Sequence, residues 1–89
     1  MKKVLVPLAP GFEEIEAVAI IDILRRAGAD VIVAGTVDSP IAGQNRMKLL
    51  ADVSLDSINP SSFDMVVLPG GGVGTENLKK DARVKKIVE

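Results

Sequence analysis

Val4-Leu5-Val6-Pro7-Leu8-Ala9-Pro10-Gly11-Phe12-Glu13-Glu14-Ile15-Glu16 is the stretch that decides how this chain reads. A short apolar run of strand type meets Pro10-Gly11 and passes at once into a helical pattern. Helical steps from Glu16 reach Ile20, Ile23, Leu24 and Ala27, so this stripe is expected to face the core with Glu16 at its head. Glu13 and Glu14 read as first-turn carboxylates that complement the positive end of the helix macrodipole. Glu16 shares that position, but its inward direction beside a strand end makes it a candidate site residue. A carboxylate there is costly unless hydrogen-bonded or protonated. The competing reading is a half-buried capping or solvated Glu.

Around this stretch, 89 residues allow one small domain. Apolar content of 47% and charged content of 26% place the chain among globular sequences and outside the disordered range. With two Phe and no Tyr or Trp, the core must be built from Val, Ile, Leu and Ala, as in a buried parallel sheet. A net charge of −1 gives no reason to expect nucleic acid. The basic residues Lys79, Lys80, Arg83, Lys85 and Lys86 interleave with Val84, Ile87 and Val88, which reads as the solvated face of an amphipathic helix.

The chain holds no Cys and no His. That removes disulfides, thiolate or imidazole metal sites, and any Ser-His or Cys-His nucleophile within these residues. Neither a cofactor nor a metal is expected. The apolar run after Met1-Lys2-Lys3 is too short for a signal peptide, contains Pro7 and leads into three carboxylates. No stretch reaches transmembrane length, so the expectation is a cytoplasmic protein that engages no membrane.

Taken in order, Lys3 to Leu8 is expected to be a buried strand and Ala9 to Phe12 a tight turn. Glu13 to Ala27 follows as a helix, with Arg25 and Arg26 in its last turn and Gly28 as its stop. Asp22 and Arg26 are placed to pair on its outer face. Asp30 to Gly35 is a second strand, so the segment is a βαβ unit with a parallel pair and a right-handed crossover. Thr36 to Asn45 is turn-rich, and Met47 to Ala51 reads as one arm of a small hairpin with Ile41 to Gly43. Leu55 to Ile58 suits a helical turn, and Asn59 to Ser62 a loop.

Asp64 to Leu68 reads as a third strand buried on both faces. It leads into Pro69-Gly70-Gly71-Gly72-Val73-Gly74, after which Thr75 is expected to cap a short helix, and Asp81 another over Ala82 to Glu89. That last helix carries no stop signal, and the third strand is left as an open edge. The expectation is therefore half a domain, completed by a covalent remainder or a partner chain.

The glycine cluster is no nucleotide fingerprint. A dinucleotide turn needs Gly at its first, third and sixth positions, and the sixth position from Gly70 is Thr75. A phosphate loop would need Gly-Lys-Ser or Gly-Lys-Thr, which is absent. Two readings remain: a tight turn built on backbone freedom, or bare N–H groups converging as an oxyanion hole. Sites in parallel sheets form beyond the carboxyl ends of the strands, so Glu16 and Gly70 to Gly72 are expected on one rim.

Leu8-Ala9-Pro10-Gly11-Phe12-Glu13-Glu14-Ile15-Glu16-Ala17, Asp22-Ile23-Leu24-Arg25-Arg26-Ala27-Gly28 and Val66-Val67-Leu68-Pro69-Gly70-Gly71 together resemble the ThiJ/PfpI superfamily. The likeness is greatest to the branch of the parkinsonism-associated protein deglycase and its bacterial relatives, and it runs from Lys3 to Glu89. The resemblance implies an α/β flavodoxin-like parallel sheet sandwiched by helices, of which residues 1–89 would be the N-terminal part, and a homodimer. It implies a cysteine enzyme whose nucleophile sits on a strand-to-helix elbow beyond the helix that begins near Asp81. The carboxyl group matching Glu16 would hydrogen-bond that sulfur and act as acid or base. The N–H matching Gly71 would help form the oxyanion pocket, with Gly70 beside it. A pocket Arg of this branch falls on Asn45 when counted without a gap and on Arg46 with one deletion; Arg46 is preferred, because a loop absorbs a residue more easily than a pocket loses a charge.

What the resemblance implies for activity is glyoxalase or deglycase chemistry on a small-molecule carbonyl substrate, an α-oxoaldehyde or its adduct, with a chaperone or oxidative-stress role beside it. Older names in the superfamily suggest an intracellular protease or thiazole-monophosphate biosynthesis; no residue here supports either specifically. Lacking Cys, this chain cannot run the cysteine chemistry alone. A non-catalytic binding or assembly module is the alternative.

Overall fold

The computed structural model describes residues 2–88. Its centre is the strand β1, Lys3–Leu8. Alternate residues of β1 serve two cores. Val4, Val6 and Leu8 turn to one face of the sheet, Leu5 and Ala9 to the other, and all five are buried. A strand buried on both faces must be central, and it is.

The helix α1, Glu14–Arg26, returns the chain to β2, Asp30–Gly35, which pairs parallel to β1 from Lys3↔Asp30 to Leu8↔Gly35. The short strands β3, Ile41–Ala42, and β4, Lys48–Leu49, form an antiparallel hairpin, as the sequence suggests. Two-residue β5, Val53–Ser54, pairs with Ala34 and Gly35 of β2, and β6, Met65–Val66, pairs with Val4 and Leu5 of β1. The order is β5-β2-β1-β6, all parallel. Helices α2, Gly72–Lys80, and α3, Ala82–Val88, cover the face opposite α1, where Leu78 and Val84 pack with Leu5 and Leu55. This is a parallel sheet sandwiched by helices, the expected α/β class.

Several expectations change. The stripe of α1 that meets the sheet is Ala17, Ile21 and Leu24, headed by Glu14, whereas Glu16 is exposed and Ile23 is 63% exposed. Apolar residues lie on both stripes, so periodicity alone could not choose between them. The strand expected over Asp64 to Leu68 is regular only at Met65–Val66, although Asp64 N–H and Val67 N–H still bond to Lys3 and Leu5 carbonyls. It is an edge strand, with Met65 54% exposed, and not a strand buried on both faces. β5, absent from the expected elements, is too short to carry a period.

Leu55–Ser57 and Pro60–Ser62 are single 3₁₀ turns. Asp81 caps α3 as expected, its Oδ1 accepting from Arg83 N–H at 2.8 Å and Val84 N–H at 3.3 Å. The residue expected to close that helix, Glu89, lies outside the described residues. α2 is not capped by Thr75: it starts at Gly72 behind Gly71, and Thr75 N–H donates to the Gly71 carbonyl at 2.7 Å.

Candidate functional site

The tight turn between β1 and α1 packs three carboxylates into four residues, and each has a different partner. Glu13 is the helix cap. Its backbone is extended (φ −81°, ψ 116°), and its carboxylate accepts from Ile15 N–H at 3.2 Å and Glu16 N–H at 2.8 Å. Its own N–H donates to the Gly70 carbonyl at 2.9 Å. The loop after β6 is thereby tied to the helix start by main chain alone.

Glu16 adds the side-chain half of that tie. Its Oε1 accepts from Gly70 N–H at 2.9 Å, across 54 residues of sequence. Its Oε2 has no hydrogen-bond partner among the described residues. Gly70 permits the approach: a Cβ there would stand 2.7 Å from Oε1. The expected common rim of Glu16 and the glycine loop is therefore present, with the carboxylate on the open side of the rim and not directed into the core.

Gly71 turns the chain into α2 at φ +108°, a left-handed conformation that L side chains rarely adopt. A second main-chain bond, Gly74 N–H to the Gly11 carbonyl at 3.0 Å, and Asn77 Nδ2 to the Pro10 carbonyl at 2.8 Å lock the loop onto the β1–α1 turn. Because Gly70 N–H is occupied by Glu16, Gly71 N–H is the one of the pair without a partner among the described residues. An unengaged N–H in a fixed backbone is a suitable donor for a negative oxygen.

Glu14, read from sequence as a dipole partner only, is the one charged residue in the buried core among the described residues, at 4% exposure. Its Oε2 accepts from Asn45 N–H at 2.7 Å and Met47 N–H at 3.2 Å, and its Oε1 from Asn45 Nδ2 at 3.4 Å. Burial pushes its carboxyl up, but hydrogen bonds from its own amide, from Met47 and from Asn45 outweigh that and hold it below its ordinary value. The signal that could have found it was the alternative stripe Glu14-Ala17-Ile21-Leu24, as regular as the one chosen.

Arg46 sits between the two clasped amides at φ +69°, exposed. Its side chain makes no hydrogen bond to Glu16 or Gly70 among the described residues; the hairpin tip is near the helix start through Asn45 and Met47. Of the two positions, Asn45 is held by Glu14, and the Arg46 side chain is exposed with no hydrogen bond among the described residues. No three His, Cys, Asp or Glu gather in the manner of metal ligands among the described residues. No described helix is long and apolar enough to cross a membrane.

A profile of the DJ-1/PfpI family matches residues 2–89. Protein DJ-1 homolog B of Arabidopsis thaliana is 51% identical over 75 residues, covering 83% of this chain and 17% of the relative. The Parkinson disease protein 7 homolog of Danio rerio is 39% identical over 90 residues, covering 99% of this chain and 48% of the relative. A deglycase of Thermococcus kodakarensis is 35% identical over 69 residues, covering 78% and 42%. The solved structure of oxidized DJ-1 from Toxoplasma gondii superposes with a TM-score of 0.93 at 38% identity, covering 99% of this chain and 48% of the other. The chain thus spans less than half the length of these relatives.

Proposed function

The chain belongs to the DJ-1/PfpI family, whose fold is flavodoxin-like, and from that premise we propose that it is the N-terminal part of a cysteine-dependent enzyme acting on small α-oxoaldehydes or their adducts. The observation that carries the reading is the Glu16–Gly70 bond at 2.9 Å, which fixes the carboxylate by one oxygen and leaves the other available. Similarity to a deglycase supports the substrate class. A C-terminal remainder would supply the nucleophilic thiol. It would pack along the exposed edge of β6, where Leu68, Pro69, Gly70, Leu78 and Val84 line an open apolar trough of about 730 Å³ beside Glu16's partner.

In this reading the unpartnered oxygen of Glu16 hydrogen-bonds the incoming sulfur and moves a proton on the substrate. Gly71 N–H receives the oxyanion that develops when the thiolate adds to the carbonyl carbon, with Gly70 beside it, and Arg46 takes a substrate oxygen. A homodimer, a cytoplasmic location and an oxidative-stress role belong to the same proposal. The exposed Val18 and Leu50, which line one depression, offer apolar surface for a second copy.

Glu16→Gln in the protein with its remainder tests the reading. Turnover of an α-oxoaldehyde such as methylglyoxal is expected to fall roughly a hundredfold or more, as for loss of a general acid–base group, with slower thiol alkylation. Parental turnover and alkylation in the variant would reduce Glu16 to a loop tether. An inactive parent would favour a binding module.

A further inference from the structure

Glu14 has no part in the chemistry above, yet it is the one charged residue in the buried core among the described residues. A buried carboxylate is costly unless its oxygens are satisfied. All of its long-range partners lie at the tip of the β3–β4 hairpin, and the two amides that meet Oε2 belong to the residues on either side of Arg46. Arg46 itself is held in the left-handed region, with its N–H donating to the Gly43 carbonyl at 3.0 Å. Strain at a non-glycine residue persists where the surroundings over-determine it.

The surroundings do so here. Gly11 N–H reaches the Ala42 carbonyl at 2.8 Å and Gln44 N–H reaches the Phe12 carbonyl at 2.8 Å, so the tip is laced to the β1–α1 turn on both sides. Gly43 makes room for the carboxylate, since a Cβ there would lie 2.5 Å from Glu14 Cδ. One helical turn therefore grips the glycine loop through Glu16 and the hairpin tip through Glu14. That turn joins the backbone on either side of Arg46 to the rim.

We propose that Glu14 is a positioning residue: it fixes the Asn45–Met47 backbone so that Arg46 is held ready for a carbonyl or carboxyl oxygen of the substrate bound at the Glu16–Gly70 rim. This rests on the cysteine-enzyme reading. It places Glu14 in substrate recognition and not in the reactivity of the thiol. A residue of this kind affects ground state and transition state alike, so its loss raises KM and spares kcat.

The test uses the protein with its remainder and two independent variants, Glu14→Ala, which removes the clasp, and Gly43→Ala, which displaces the carboxylate while leaving it in place chemically. Both are expected to raise KM for methylglyoxal about tenfold while kcat and thiol alkylation stay within about twofold. Trypsin is expected to cut after Arg46 faster in both. Glu14→Gln keeps an oxygen for the two backbone amides and is expected to stay nearer the parental KM.

An active parent with unchanged KM in both variants overturns the recognition role, as does a loss of kcat and thiol reactivity like that of Glu16→Gln. Unchanged cleavage after Arg46 in Glu14→Ala overturns the tether itself, whatever the activity. A parent that turns over no α-oxoaldehyde sinks the cysteine-enzyme reading, and the recognition role with it.

Discussion

Asn45 N–H donates to Glu14 Oε2 over 2.7 Å, joining a helix start to a hairpin tip 31 residues away in sequence. The bond depends on charge. Burial raises the Glu14 carboxyl, and the amides of Glu14, Met47 and Asn45 lower it further than burial raises it, leaving the folded value below the ordinary 4.5. A carboxyl depressed on folding stabilises the native state above its unfolded pKa, and that contribution is lost as pH falls through the folded value. Thermal melts are expected to show the parent more stable than Glu14→Gln near neutral pH, with the two Tm curves converging as pH drops below 4.5. A gap that persists unchanged into acid would show that the variant acts by shape and not by charge.

Gly70 and Gly71 are neighbours with different constraints, and alanine at each should separate site from scaffold. At Gly70 the obstacle is the far end of a side chain, Glu16 Oε1 at 2.7 Å, which can swing away. Gly70→Ala is expected to change stability by only about 0.5 kcal/mol. If the proposed activity holds, α-oxoaldehyde turnover by the protein with its remainder should fall at least about tenfold, because the carboxylate is displaced. At Gly71 the obstacles are backbone, Glu13 N at 2.7 Å and Gly11 O at 2.9 Å, with φ at +108°. Gly71→Ala is expected to cost about 2 kcal/mol or more, since the left-handed penalty alone is roughly 1–2 kcal/mol. Urea melts and turnover of the two proteins check both; equal stabilities would refute the distinction.

The βαβ unit was legible because its signals are long: two six-residue apolar strands and a thirteen-residue helix bounded by carboxylates and Gly28. The hairpin and the Asp81 cap were legible from turn chemistry. What failed depends on contacts distant in sequence. Val53–Ser54 is a strand only because β2 offers an edge to it. The inward face of α1 is the one on which Ala17, Ile21 and Leu24 meet the strands and Glu14 meets Asn45 and Met47, contacts that no window around Glu14 contains. For the candidate site, sequence expected Glu16 and the glycines on one rim, and the Glu16–Gly70 bond joins them; the burial of Glu14 was not legible, because a buried acid and a dipole acid look the same in one dimension.

Arg83 joins three segments that are distant in sequence. Its guanidinium donates to Asp81 Oδ2 at 2.7 Å and Oδ1 at 3.1 Å, to Asp56 Oδ1 at 3.0 Å, and to the Thr36 carbonyl at 2.8 Å. The hydrogen bond from Arg83 holds the Asp81 carboxyl below its usual range, against the opposing effect of burial. With the Arg83 side chain 36% exposed, the pairs are partly screened, so Arg83→Ala is expected to cost about 1 kcal/mol. Arg83→Lys should recover little, because an ammonium cannot bridge a carboxylate and a carbonyl in the same fork. Chemical denaturation at low and high salt checks this; full recovery by lysine would mean that charge alone matters.

Met65 pairs with Val4 on one side of β6, and among the described residues no strand pairs with the other side. It is 54% exposed, and Leu68 just beyond it is 43% exposed. An apolar edge with free N–H and C=O groups is a template for another chain. Expressed by itself, residues 1–89 are therefore expected to self-associate, with a charge on the edge as the remedy. Met65→Lys places that charge where it disrupts edge pairing without touching the buried β1 side chains. Light scattering should show the variant closer to a monomer than the parent. If both proteins remain monomeric, the edge is protected by its twist or shortness; if both associate equally, the apolar surface around Val18 and Leu50 on the α1 side is the seat of association instead.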